Sequence, residues 1–304
     1  MQATQILSIS HKVETSERAF TFTDLLMMVA VLGLLLFVLI PAQADSRTKT
    51  RSVRCLDNQR QIMAAFLMYT HDNHDLFPPN PDDGNTVVGH NWCPGLAGAG
   101  GSAEFNPDLL ADLQRCLIAS YLNTNVSLFR CTADLRVGAY QGTDPAKLGT
   151  KVSAARSISM NQAVGTICPS FDTSGIHSGK PVLSVNGPWL DNSHGHHRNS
   201  PYRTYGRLGD VVLPGPAGLW IVTEEDPRSI NDGGFAIGMN TAEWIDFVST
   251  QHGMAGVLGF ADGHVELHRW SDQRTRVPAV LVRVPVPGSA DWAWLRDRTS
   301  ARAQ

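Results

Sequence analysis

The chain has 304 residues, a formal charge of −3 and 42% hydrophobic residues. That balance excludes an intrinsically disordered chain and shows none of the basic surplus that holds nucleic acid. Beyond the first forty or so residues, about 260 remain, enough for one large domain or two small ones with a real core.

Residues 17–42 read ERAFTFTDLLMMVAVLGLLLFVLIPA. From 25 to 42 no side chain is charged or polar, and a helix of that length covers about 27 Å, close to the hydrocarbon thickness of a bilayer. The run predicts a transmembrane helix. A cleavable secretory signal competes with it, since Ala42 and Ala44 form an Ala-x-Ala-like site, as does a plain signal anchor. Neither explains the acid Asp24 at the mouth of the run, where burying a charge is costly.

A basic residue, a small residue and then FTFTDLLMMVAVLGLLL resemble the signal of type IV pilins and type II secretion pseudopilins. The resemblance implies cleavage by a prepilin peptidase between Ala19 and Phe20, methylation of the new N-terminus, an assembly role for Asp24 and a helix-kinking role for Pro41. Ala19 stands where the family more often has Gly, and Asp24 where it has Glu. An amine on Phe20 of a neighbouring subunit would pair with the Asp24 carboxylate; the alternative is an interfacial acid in contact with water. Lys12 and Arg18 precede the run while Arg47, Lys49, Arg51 and Arg54 follow it, so counting positive charges predicts a cytoplasmic C-terminal domain, whereas the resemblance implies export.

After the run, RTKTRSVRCLDNQRQIMAAFLMYTHDNHDLFPPN keeps helical period. Val53, Leu56, Ile62, Met63, Phe66 and Leu67 form one stripe, with Arg54, Asp57, Asn58 and Arg60 largely off it. The helix is expected to end near residues 71–73, before FPPN stops it. Cys55, Asp57, Asn58, Gln61 and Ile62 resemble the C-x-N-x-x-Q-I stretch of a group of pilin-like proteins of planctomycete and verrucomicrobial bacteria. LFRCTADLRV, RSISMNQ, VTEEDPRSINDGGFAIG and the tail DWAWLRDRTS resemble further elements of that group, and His252, nine residues, Asp262 and Gly263 reproduce its C-terminal His-x9-Asp-Gly signature.

GVLGFADGHVELHRW reads as a hairpin turning at residues 261–264, with Gly263 supplying positive φ. His252, before the incoming strand, is placed to bond the turn or a carboxylate, which makes the signature a latch. The other reading is a ligand or metal site on the acidic stretch Glu224, Glu225, Asp226 and Asp232, with Glu225, Asp226, Asp232, His252 and Asp262 as the candidate ligands and His264 or His268 nearby: oxygen-rich loops suit Ca²⁺, and histidines admit a transition metal. No zinc signature or EF-hand loop is present. His194, His196 and His197 form a further histidine patch, read first as a solvated loop.

Five cysteines, Cys55, Cys93, Cys116, Cys131 and Cys168, contain no CxxC pair, which argues against a zinc ribbon or thioredoxin-type site. The positions of Cys55 and Cys131 in the resembling motifs suggest a disulfide between them; buried unpaired cysteines are the equal alternative. No nucleophile elbow, Walker loop, dinucleotide fingerprint or HExxH occurs. Trp92, Trp189 and Trp244 are read as core before a carbohydrate platform.

These observations predict an α+β fold: a long N-terminal transmembrane helix continuing as a spine packed on a mainly antiparallel β domain. The expected organisation is a leader (1–19), a transmembrane and assembly helix (20–42), its soluble continuation (43–73) and a globular domain (74–304). An insertion is expected over 138–192 and a late edge strand around 277–286, with Pro285 at the edge. The expected function is that of a non-enzymatic pseudopilin or pilin-like subunit, single-pass in the inner membrane with a periplasmic or extracellular domain. The partners implied are the prepilin peptidase, other pilin subunits, an inner-membrane assembly platform and the lipid bilayer, with no nucleic acid and no cofactor beyond Ca²⁺. An anchored glycan- or Ca²⁺-binding domain and an anchored hydrolase using His252 and Asp262 are the competing functions.

Overall fold

The computed structural model describes residues 21–167, 182–276, 278 and 283–303, the side chains of 35–47 excepted. The chain divides into two units, Met1–Arg47 and Thr48–Gln304, and helix α1 (Phe22–Asp72) contributes residues to both.

In the first unit, α1 opens with a reciprocal cap. The Thr21 N–H and hydroxyl donate to Asp24 Oδ2 at 2.9 and 2.6 Å, and the Asp24 N–H returns to Thr21 Oγ1 at 3.3 Å. This arrangement satisfies amide groups that the first helical turn leaves without partners. Those bonds from Thr21 lower the Asp24 pKa and keep it ionised, and its charge faces the positive end of the helix dipole. Phe22, Leu25, Leu26, Met27, Met28, Val29, Val31, Leu32 and Leu34 are all exposed, Phe22 to 77% and Leu25 to 48%.

The transmembrane expectation is corrected. Among the described residues no helix is long and apolar enough to cross a membrane. The same finding overturns the expected single-pass inner-membrane placement and, with it, the expected fold class. The observed architecture is a set of mixed sheets with few helices. The peptidase site at Ala19 and Phe20 lies outside the described residues, as does the side chain of Pro41.

In the second unit, α1 buries Cys55, Gln59, Ile62, Met63, Ala65, Phe66 and Tyr69. Val53, expected on this face, points outward at 55% exposure, because the buried positions follow the 3.6-residue period from Cys55 through Gln59 to Ile62 and Phe66. The helix ends at Asp72, and His74 and Asp75 take positive φ in the turn that follows.

The strands that follow are short: β1 (Val137–Ala139), β2 (Lys151–Ser153), β3 (Ile158–Asn161), β4 (Thr166–Ile167), β5 (Leu183–Ser184), β6 (Trp220–Glu224), β7 (Gly234–Phe235), β8 (Glu243–Trp244), β9 (Ala255–Phe260), β10 (Val265–Arg269) and β11 (Val284–Pro285). The main sheet has the order β10-β9-β6-β3-β7. Its first three pairings are antiparallel and the β3–β7 pairing is parallel. β3, β6 and β9 are buried along their whole length, which suits strands covered on both faces rather than alternating ones. Residues 138–192 are therefore not a separable insertion, since β3 lies inside the main sheet. Of the late strand, Val284–Pro285 pairs with β8 in a two-stranded sheet, consistent with Pro285 at an edge; most of 277–282 lies outside the described residues.

α1 packs directly on this sheet. A Cβ added at Gly259 would stand 2.4 Å from Met63 Cγ, so glycine sets the close approach of helix to strand. Gln59 Nε2 donates to the Val222 carbonyl at 3.0 Å, tying the helix to β6. The β9–β10 hairpin forms as expected, with Gly263 at φ +91 and a Cβ there 2.8 Å from Leu67 Cδ1.

A second core gathers Trp220, Phe235, Trp244, Phe247, Phe260, Trp270 and Trp292. The short helix α2 (Asp108–Ala111) lies in the long connection before β1, and the C-terminal helix α3 (Ala290–Arg296) joins the second core. Ser289 caps α3, while Asp291 accepts from Ser271, Asp272 and Thr275. Trp92 and Trp244 are fully buried, and Trp92 donates its ring N–H to the Gly233 carbonyl, so both serve the core.

Candidate functional site

The His-x9-Asp-Gly residues do not meet. Asp262 Oδ1 accepts the His264 amide at 3.1 Å and lies 2.5 Å from His264 Nδ1. Burial opposes its charge, but those His264 contacts prevail and hold its pKa below the usual carboxylate range. The His264 ring stacks on Phe260 at 4.3 Å. Asp262, Gly263 and His264 thus build the turn, while His252 faces elsewhere.

His252 lies in a tight reversal before β9, where Gly253 and Met254 take positive φ and the His252 amide donates to Ala255 at 3.3 Å. Its side chain is fully buried, with Nε2 3.1 Å from Glu224 Oε2 and 3.2 Å from Cys131 Sγ. Glu224 closes β6 and accepts the Val257 amide at 3.1 Å. Cys131 follows a 3₁₀ turn (Val126–Phe129) capped by Asn125, and its amide donates to Ser157 Oγ at 2.7 Å. Cys55 completes the group from α1, its sulfur 3.3 Å from that of Cys131.

One ligating atom from each of Cys55, Cys131, Glu224 and His252 lies within 4.8 Å of the others, and all four residues are buried. Backbone amides point at three of the donors: Thr132 N–H at Cys55 Sγ (3.2 Å), Ala133 N–H at Cys131 Sγ (3.4 Å) and Val257 N–H at Glu224. The Cys131 thiol hydrogen bond, chiefly, pulls the Cys55 pKa down, while the same contact and burial push Cys131 up. Burial works against charge on both His252 and Glu224. Hydrogen bonds that His252 donates to Cys55 and Glu224 nonetheless raise it to about 10, and the His252 bond, with its charge, holds Glu224 down. A buried histidine–carboxylate pair beside two cysteine sulfurs is the result. His252 Nδ1 has no partner among the described residues.

The expected oxygen-rich set is not gathered. Glu225 takes Ser159 Oγ at 2.5 Å, Asp226 pairs with Arg228 at 3.1 Å, and Asp232 accepts the Gly234 amide at 2.8 Å. Of those five candidates, His252 alone enters a cluster of ligating groups among the described residues, and its carboxylate partner is Glu224. The three loop histidines diverge as well: His194 bonds Asp82, His196 bonds the Asn186 carbonyl, and His197 belongs to a bridge with Ser200.

Cys55 and Cys131 are neighbours, as the motif positions suggested, with both thiols free; a covalent bond would need about 2.05 Å between the sulfurs. Cys93 and Cys116 are buried and free too, burial pushing Cys93 up to about 11, and Cys168 lies outside the described residues. Cys55 and Cys131 stood out in the sequence as a possible pair, and His252 separately in the His-x9-Asp-Gly signature. Their convergence, and Glu224 with them, required the strand order. No family profile, curated protein or solved structure matches the chain.

Proposed function

We propose that the chain is a non-enzymatic structural subunit of the pilin or pseudopilin kind, whose apolar α1 residues pack against the same stretch of neighbouring copies. The observation that carries this reading is the exposure of nine large apolar side chains between Phe22 and Leu34. Each one left uncovered forgoes about 1.5–3 kcal/mol of burial, and a helix apolar on every side is stable only where something surrounds it. Another copy carries the same surface, and a head-to-tail repeat of that contact extends as a filament.

Asp24 fits the same reading. In a chain processed between Ala19 and Phe20, the free amine of Phe20 on an adjoining copy gives the carboxylate an opposite charge, which fixes the register of the two helices. Mass spectrometry of the native N-terminus tests the processing, with a methylated Phe20 as the expected first residue. Asp24→Asn keeps an acceptor for the Thr21 cap and removes the charge, so it is expected to dissolve oligomers without unwinding the first turn. A native polypeptide that retains residues 1–19, or Asp24→Asn oligomers identical to the parent's, overturns the reading.

A further inference from the structure

Four segments distant in sequence converge on one buried point through Cys55, Cys131, Glu224 and His252. Ordinary packing satisfies buried polar groups pairwise. Here two sulfurs, an imidazole nitrogen and a carboxylate crowd together, three of them receiving backbone amides as anions do. We propose that this cluster is a closed four-coordinate site for Zn²⁺, with Cys55 Sγ, Cys131 Sγ, His252 Nε2 and one Glu224 carboxylate oxygen as its ligands.

The donor chemistry selects the ion. Two thiolates and an imidazole are soft or borderline ligands that suit zinc and bind Ca²⁺ or Mg²⁺ poorly, since those ions take oxygen. The spacing is compact. Ligands at zinc's usual bond lengths define a tetrahedron with edges of about 3.3–3.8 Å. The sulfurs stand 3.3 Å apart, Cys131 Sγ and His252 Nε2 3.2 Å, and His252 Nε2 and Glu224 Oε2 3.1 Å, so the four donors would spread by a few tenths of an ångström around the ion.

Burial decides between a structural and a catalytic centre. A catalytic zinc keeps one position open to water, whereas a structural one is closed by four protein ligands. All four ligands here are buried, so the site is structural, and burial equally denies a substrate access to a Cys131–His252–Glu224 triad.

Loading balances as an exchange of cations: whatever protons the two sulfurs and the imidazole Nε2 carry leave for solvent as Zn²⁺ enters. Two thiolates and one carboxylate then leave one net negative charge, which the amides of Thr132, Ala133 and Val257 solvate. The ion would staple α1 to the loop after Phe129, to the end of β6 and to the reversal before β9. This inference stands independently of the assembly proposed above, since the site lies wholly within the second unit.

The test is metal analysis of the purified full-length chain after equilibration with Zn²⁺ alone, repeated with Co²⁺, whose thiolate charge-transfer absorption reports sulfur ligation. About one ion per chain is expected, with occupancy falling at least about tenfold in Cys55→Ser, Cys131→Ser and His252→Ala and affinity lowered in Glu224→Gln. Cys116→Ser, buried elsewhere, is expected to bind like the parent. Content far below one ion, equal content in Cys55→Ser, a Co²⁺ spectrum without sulfur bands, or a native metal-free chain carrying a Cys55–Cys131 disulfide would each overturn the proposal. Should the substituted chains fail to fold, the Co²⁺ spectrum of the parent chain decides alone.

Discussion

Asp232→Asn isolates one buried acid whose ionisation opposes folding. The residue is 6% exposed, and burial, reinforced by the charge of Asp82, raises its pKa from an ordinary 3.8 to about 6. The folded chain therefore binds this proton more tightly than the unfolded chain does. Stability is highest below the unfolded value and falls as pH rises through the folded one. At about 1.4 kcal/mol for each tenfold change in proton affinity, the full cost above neutral pH is about 3 kcal/mol. Roughly half of it develops between about pH 5 and pH 7.5. Asparagine retains an acceptor for the Gly234 amide, 2.8 Å away in the parent, and cannot ionise. Urea unfolding at the two pH values is the assay. The parent is expected to lose about 1–2 kcal/mol on going to the higher pH and the variant distinctly less, with the variant the more stable protein at about pH 7.5. Glu225 and Asp246, both raised well above the usual range by burial, add pH dependence of the same sign to both proteins, so the difference between them is the quantity that matters. A variant as pH-dependent as the parent would show that Asp232 does not ionise in a buried site.

Other substitutions probe how the helix is held to the sheet. Gly259→Ala places a Cβ against Met63 and is expected to cost about 1–3 kcal/mol through overpacking, measured by thermal unfolding; Met63→Ala in the same chain should recover part of it. Gln59→Leu removes the bond to the Val222 carbonyl, and a loss of about 1–3 kcal/mol is expected for a buried acceptor left unpaired. Asp291→Ala strips the partner from the Ser271 and Asp272 amides and the Thr275 hydroxyl. It is expected to cost about 3 kcal/mol, with hydrogen exchange accelerating first around α3.

The sequence made the helix and the final hairpin legible because both signals are local. Helical period with FPPN after it located the end of α1 within a residue or two, and Asp-Gly marked the β9–β10 turn. The buried face of α1 was read less well, with Val53 assigned inward, since hydrophobicity alone does not anticipate a buried Gln59 that bonds the sheet. The rest of the main sheet escaped the reading because its strands are two to five residues long and β3 joins β7 in parallel across a long connection. Sequence pattern says nothing about such non-local pairings. The site shows the same divide. Cys55 and Cys131 stood out as a pair, His252 and the acidic run separately, yet the acid beside them is Glu224 rather than its neighbours Glu225 and Asp226, which the candidate set includes. Which member of an acidic run faces a given histidine depends on where β6 ends. Asp24 reads from sequence as an assembly or interfacial charge, and the Thr21 cap gives it a local role as well.

Photo-crosslinking along α1 tests the central claim most directly. A photoreactive residue placed in turn at Leu25, Leu26, Met27, Met28 and Val29 of the full-length chain is expected to capture the same helical stretch of another copy, at an offset that stays constant as the probe moves. Capture of unrelated proteins, capture at scattered positions on the globular unit, or no captured copy at all would contradict assembly through this helix.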